Sequence, residues 1–138
     1  MSDPKRNGSD PAKSPATLVY VVDDEPMLLE LATMILEPSG VHTQVFRDPQ
    51  AAMEAFRAAR PKPPVLITDY AMPRMNGLEL MDACRRIEPG TKIMLVSGTV
   101  GPDIYKGQSS KPDLFLAKPY QAKVFLEKVQ ALLGSSEE

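Results

Sequence analysis

Four short apolar runs, Leu18–Val22, Val65–Thr68, Ile93–Val96 and Leu114–Ala117, recur along this chain, and segments with helical spacing lie between them. Unbroken runs rich in Val, Ile and Leu, with no polar alternation, are the pattern of strands buried on both faces of a parallel sheet. Val41–Phe46 reads as a further strand. Parallel neighbours need crossover connections, so strand and helix must alternate with right-handed crossovers. The expected fold is therefore α/β, a doubly wound five-stranded parallel sheet.

The intervening segments carry helix signals of their own. Pro26 suits a first helical turn, and Leu28, Leu31, Ala32 and Ile35 follow at i, i+3, i+4 and i+7. Asp48 and Pro49 supply an N-cap and a first-turn proline for a helix to about Ala59, with Ala52, Phe56 and Ala59 inward. A third helix places Leu80, Ala83, Cys84 and Ile87 on one face and stops at Glu88-Pro89-Gly90. A last one runs from about Gln121 to Leu133 with Phe125, Val129 and Leu132 on one side.

With 138 residues the chain fits one domain. Residues 1–16 hold Pro4, Pro11 and Pro15 and no aromatic residue, so a flexible tail is expected there, a folded domain over 17–134 and a polar end over 135–138. A net charge of −2 argues against direct nucleic-acid binding, which needs clustered Lys and Arg. One Cys and one His allow neither an internal disulfide nor zinc spacing. No apolar run approaches the roughly 18 residues of a membrane span, and the N-terminus lacks a signal-peptide core. The composition reads as cytoplasmic, without a membrane partner.

The chemistry concentrates where the strands stop. Asp23 and Asp24 follow the first strand, Asp69 the third, Ser97 the fourth and Lys118 the fifth. In an open parallel sheet the carboxyl ends of the strands line the ligand crevice, so residues far apart in sequence converge there. Three carboxylates brought together repel one another unless a cation sits among them. Oxygen ligands without a His or Cys cluster select a hard ion, Mg²⁺ or Mn²⁺. Asp69 then serves as a nucleophile toward phosphorus, with the metal and Lys118 neutralising the phosphoryl oxygens and the Ser97 hydroxyl donating a hydrogen bond to one of them. A lone aspartate at a strand end usually caps a helix. Asp24 is expected to cap the Pro26 helix as well as bind metal. His42 is read as a solvated side chain with no role, and Cys84 as small core filler.

Over residues 17 to 134 the chain resembles a receiver domain of a two-component response regulator. The resemblance rests on Asp23-Asp24 after Val-Val, Asp69 in Ile-Thr-Asp-Tyr-Ala-Met-Pro, Asn76-Gly77, Ser97 in Leu-Val-Ser-Gly, and Lys118-Pro119 in Leu-Ala-Lys-Pro. It implies the flavodoxin-like sheet order 2-1-3-4-5. It further implies a metal ligand in the backbone carbonyl of Ala71, an aromatic switch at Phe115 coupled to Ser97, and a cis Lys118-Pro119 bond. The implied phosphodonor is a histidine kinase or histidine phosphotransfer protein. Few residues follow Leu133, so action through an unnamed downstream protein is expected, without a DNA-binding output domain. Two alternatives stay open: a Mg²⁺-dependent phosphatase with an aspartyl nucleophile, and a receiver-like module that only binds partners.

Two departures from the family pattern stand out. Residues 98–113, where a receiver carries its fourth helix, contain Gly101, Gly107, Pro102, Pro112 and Ser109-Ser110. In a helix interior glycine costs about 1 kcal/mol and proline about 3, so at most a turn around Asp103–Lys106 is expected, loose until phosphorylation or a partner orders it. The second is Ala71, which cannot orient an attacking water, so slow loss of the phosphoryl group is expected.

Overall fold

The computed structural model describes residues 17–136. Five strands are present among them: β1 (Thr17–Val22), β2 (Val41–Phe46), β3 (Val65–Asp69), β4 (Lys92–Ser97) and β5 (Leu114–Ala117). Three α-helices join them, α1 (Pro26–Leu36), α2 (Pro49–Ala58) and α3 (Gly77–Ile87), and a fourth, α4 (Ala122–Ser136), follows β5. All pairings are parallel, in the order β2-β1-β3-β4-β5, as the resemblance implied. The reversal of direction between β1 and β3 opens the crevice at their carboxyl ends. The expected tail over residues 1–16 lies outside the described residues.

Each sheet face has its own core. On one side Val19, Val21, Ile67, Met94 and Val96 pack against Leu29, Ala32 and Leu36 of α1 and Phe125, Val129 and Leu132 of α4. On the other, Tyr20, Val22, Leu66, Ile93 and Leu95 pack against Ala52 and Phe56 of α2 and Leu80, Met81 and Cys84 of α3. β3 is buried at every position, as its unbroken apolar run requires. No helix among the described residues is long and apolar enough to cross a membrane.

The inward face of α1 differs from the sequence reading by about one residue. Leu29, Ala32 and Leu36 are buried, whereas Leu31 is 38% exposed. The apolar residues of α1 come in adjacent pairs, Leu28-Leu29, Leu31-Ala32 and Ile35-Leu36, so two neighbouring stripes fit the same spacing. Ala59 falls outside α2, extended and half-buried, with its N–H bonded to the carbonyls of Ala55 and Phe56. The last helix continues past Leu133 to Ser136.

Between β4 and β5 the crossover contains no α-helix. A 3₁₀ turn over Pro102–Tyr105 is its one regular element, close to the expected turn. Tyr105 leans on the core cluster beneath α2 and α3, and Gly107 takes φ of 86°, a left-handed conformation suited to glycine. Gly77 opens α3 under a different constraint: a Cβ there would run into the Asp69 carbonyl and stand 2.8 Å from Leu95 Cδ1. Only a residue without a side chain lets the helix start so close to β3.

Candidate functional site

Asp23, immediately after β1, is 6% exposed, and Asp69, the last residue of β3, is 7% exposed. Partly exposed Asp24 completes a set of carboxylates that bring one oxygen each to within 4.8 Å of one another. Lys118, just beyond β5, reaches across the crevice. Its Nζ stands 3.0 Å from Asp23 Oδ2 and 3.0 Å from Asp69 Oδ1, with Glu25 Oε1 further off at 3.8 Å. The peptide bond that follows it, Lys118-Pro119, is cis, as is Arg60-Pro61, which the sequence reading did not expect.

The backbone around these side chains is fixed by local hydrogen bonds. Asp23 donates its N–H to the Phe46 carbonyl at 3.0 Å, and its Oδ1 accepts the Glu25 N–H at 2.9 Å. The loop after Asp69 is closed at both ends. Tyr70 donates its N–H to the Val96 carbonyl at 2.8 Å, and Gly77 donates to the Tyr70 carbonyl at 2.9 Å. Asn76 and Glu79 then form a reciprocal capping box that starts α3. Within this loop Arg74 adopts φ of 71° and pairs with Asp48 Oδ1 at 3.1 Å, tying the loop to the start of α2. Ala71 is exposed two residues beyond Asp69.

Asp24 does not cap α1. The N-cap is Glu25, with no side-chain cap bond, and Pro26 at the helix start has no N–H that needs an acceptor. Asp24 instead faces the other carboxylates.

Ser97 ends β4 opposite Ala117 of β5 and is 2% exposed. Its Oγ accepts the N–H groups of Thr99 at 3.1 Å and Val100 at 3.0 Å, so it anchors the start of the crossover. Its own O–H hydrogen is left for the crevice or for Thr99 Oγ1 at 3.4 Å. Phe115 lies beside Leu95 in the register and is half-buried against the cluster under α2 and α3. Cys84 is fully buried in that cluster. His42 is exposed on edge strand β2, with Nδ1 3.6 Å from Glu37 Oε1.

Burial raises the Asp69 carboxyl above its ordinary range; the hydrogen bond from Lys118 opposes this, while the charges of Asp23 and Asp24 add to it. Burial alone would lower the Lys118 ammonium, but the hydrogen bonds and charges of Asp23 and Asp69 outweigh it and raise the group. Lys118 is therefore a fixed cation at neutral pH. One cation among three carboxylates leaves an excess of negative charge in a site of oxygen donors only, which suits a hard divalent ion.

Comparison with known proteins decides the family. The model of the response regulator receiver domain matches residues 19–130. This chain belongs to the response regulator receiver domain family. Among curated relatives, the DNA-binding response regulator MtrA of Mycolicibacterium smegmatis is 35% identical over 123 residues, covering 87% of this chain and 52% of the relative. The alkaline phosphatase synthesis transcriptional regulatory protein SphR of Synechococcus elongatus is 27% identical over 135 residues, covering 92% of this chain and 52% of the relative. The chain thus spans about half the length of the curated relatives it matches. A CheY-like receiver domain protein of Methanospirillum hungatei JF-1 shares the fold at TM-score 0.82 and 22% identity, over 89% of this chain and 98% of the other. A receiver domain of Clostridium thermocellum does so at 0.80 and 20%, over 88% and 97%.

In this receiver domain the sequence reading found the acidic set and Lys118, whose Nζ the fold brings within hydrogen-bonding reach of Asp23 and Asp69. It missed Glu25 beside Lys118, the Arg74–Asp48 tie, and a cluster centred on Arg85 on α3. None of these belongs to a motif, and each depends on which loop the fold lays against which helix.

Proposed function

We propose that Asp69 accepts a phosphoryl group from a phosphohistidine of a histidine kinase or histidine phosphotransfer protein, and that the modified domain changes its affinity for a downstream protein. The observation that carries this reading is the convergence of Asp23, Asp24 and Asp69 at the carboxyl end of the sheet with Lys118 Nζ set between two of them. An Oδ atom of Asp69 attacks phosphorus, a new O–P bond forms, and the N–P bond to the donor imidazole breaks. The imidazole leaves with the bonding electron pair and takes up a proton.

The chain's own groups have distinct tasks in that exchange. Asp23, Asp24, Asp69 and the Ala71 carbonyl would hold Mg²⁺ or Mn²⁺, which offsets charge on the phosphoryl oxygens and on the carboxylates when bound. Lys118 exchanges its contact with Asp69 for one with a phosphoryl oxygen, keeping Asp23 as its anchor. The Ser97 hydroxyl donates to another phosphoryl oxygen. Because the same oxygen holds the Thr99 and Val100 N–H groups, its movement draws on residues 98–120, with Phe115 following.

Acetyl phosphate with Mg²⁺, followed by intact mass, tests the reading without a cognate kinase. A gain of one phosphoryl group, about 80 Da, is expected in the wild type and is absent in Asp69→Asn. Steady release of phosphate with many turnovers would instead assign a phosphatase, and no mass gain would leave only a binding module.

A further inference from the structure

At its far end the crossover that replaces a fourth helix is tied to α3 by Arg85 and to β4 by Asp113. Arg85 of α3 donates from Nη1 to the Lys111 carbonyl at 2.6 Å and to Ser110 Oγ at 3.1 Å. Its Nη2 pairs with Asp113 Oδ2 at 2.7 Å, and that oxygen also accepts the Ile93 N–H at 2.8 Å. Asp113 returns its own N–H to the Ile93 carbonyl at 2.8 Å. The Arg85 side chain is 19% exposed and that of Asp113 31%, so the pair lies at the protein surface with its guanidinium the better covered partner. A planar guanidinium making several bonds in fixed directions is a geometric clamp as well as a charge partner.

The position of this clamp gives it a task. Asp113 directly precedes β5, which carries Phe115 and leads to Lys118, while the opposite end of the crossover hangs on the Ser97 hydroxyl. Between the two anchors lie Gly101, Gly107 and a single 3₁₀ turn, with no helical ladder to resist rearrangement. The segment expected to be loose is therefore a strap fastened at both ends.

We infer that Arg85 is a positioning residue for the phosphoryl site: it holds the crossover and the start of β5 in the arrangement of the unphosphorylated domain, and so sets how readily Asp69 is phosphorylated. The inference rests on the reading of Asp69 as phosphoacceptor. Phosphorylation draws on the Ser97 end of the strap, and a clamp at the other end opposes the movement in proportion to its strength. Weakening it raises the share of molecules already rearranged and speeds the transfer.

The test uses the full chain. Arg85→Met keeps the aliphatic stem and removes the clamp; Asp113→Asn keeps an acceptor for the Ile93 N–H and removes the charge, and it stands in if the first variant folds poorly. Amide exchange over residues 106–113 is expected to rise about tenfold, the order of change in an opening equilibrium when a charge-assisted hydrogen bond is lost. Exchange over β1 and β3 should stay as in the wild type. The rate of Asp69 phosphorylation by acetyl phosphate with Mg²⁺ should rise several-fold, with Arg85→Lys intermediate. Faster exchange with an unchanged phosphorylation rate would make the clamp merely structural and overturn the inference alone. No mass gain in the wild type would overturn the reading of Asp69, and this inference with it.

Discussion

Replacing Lys118 by methionine separates the structural from the chemical role of the crevice lysine. The side chain is 18% exposed, and its Nζ is 3.0 Å from both Asp23 Oδ2 and Asp69 Oδ1. At an effective dielectric constant near 20 each contact has a gross Coulomb energy of 332/(20 × 3.0), about 5.5 kcal/mol. Most of that is offset by the desolvation of the three groups. Removing one partner of such a pair strands buried charge, at a cost of about 3 kcal/mol at the low end of the observed range. For a domain of this size that is a fall in Tm of about 10 °C without metal.

A divalent ion would change the outcome, because Asp23 and Asp69, the carboxylates that Lys118 contacts, would also be ligands to the ion. A unit pair in open water is worth about 1 kcal/mol at about 4 Å and twice that for a divalent ion, so losing the ammonium should tighten Mg²⁺ about 30-fold. Thermal melts of wild type and Lys118→Met in EDTA and in saturating Mg²⁺ should show a larger Mg²⁺ shift for the variant. Phosphorylation of the variant should nevertheless be slower by about 10²-fold, since the cation that meets the phosphoryl oxygen is gone. Equal melting temperatures in EDTA, or a smaller Mg²⁺ shift in the variant, would refute the reasoning.

Four other substitutions and probes read the same packing and charge. In EDTA, Asp69→Asn should melt above the wild type at pH 7: the folded carboxyl is raised, so ionisation works against folding as pH climbs past 3.8, and melts repeated at low pH should converge. Gly77→Ala should destabilise by about 1–3 kcal/mol in denaturant melts, because its Cβ collides with the Asp69 carbonyl and crowds Leu95. Cys84, with its thiol pushed up from 9.0 to about 11 by burial, should resist alkylation at pH 8 until the protein is unfolded; because the unfolded chain loses that proton first, this thiol should also make stability fall as pH rises from about 9 to 11. Ala71→Asn should speed loss of the phosphoryl group, measured by the decay of the phosphorylated mass, since an amide there can orient water.

How much of this was legible in the sequence depended on the range of the physics involved. The strands and their polar stops were readable because burial on both faces writes an unbroken apolar run, and the turn at each carboxyl end must then begin with whatever the crevice needs. Asp69 and Ser97 were found that way. The stripe of α1 was misplaced by one position because Leu28-Leu29, Leu31-Ala32 and Ile35-Leu36 satisfy helical spacing twice. Packing against Val19 and Val21 decides between the stripes, and that contact is not local. The supposed Asp24 cap failed because the N-cap position falls one residue later, on Glu25, ahead of Pro26, and no side chain caps this helix start.

The crossover between β4 and β5 shows both limits in one segment. Its glycines and prolines correctly excluded a helix, since those costs act residue by residue. They did not imply looseness. A segment without a helical ladder must satisfy its polar groups elsewhere, and here Ser97 and Arg85 take up part of that demand from outside the segment. The two anchors come from β4 and α3, so no property of residues 98–113 could announce them. In this chain the Ser97 hydroxyl holds one end, Arg85 and the Asp113–Ile93 bonds hold the other, and Tyr105 leans on the core between them, so the restraint comes from partners outside the segment.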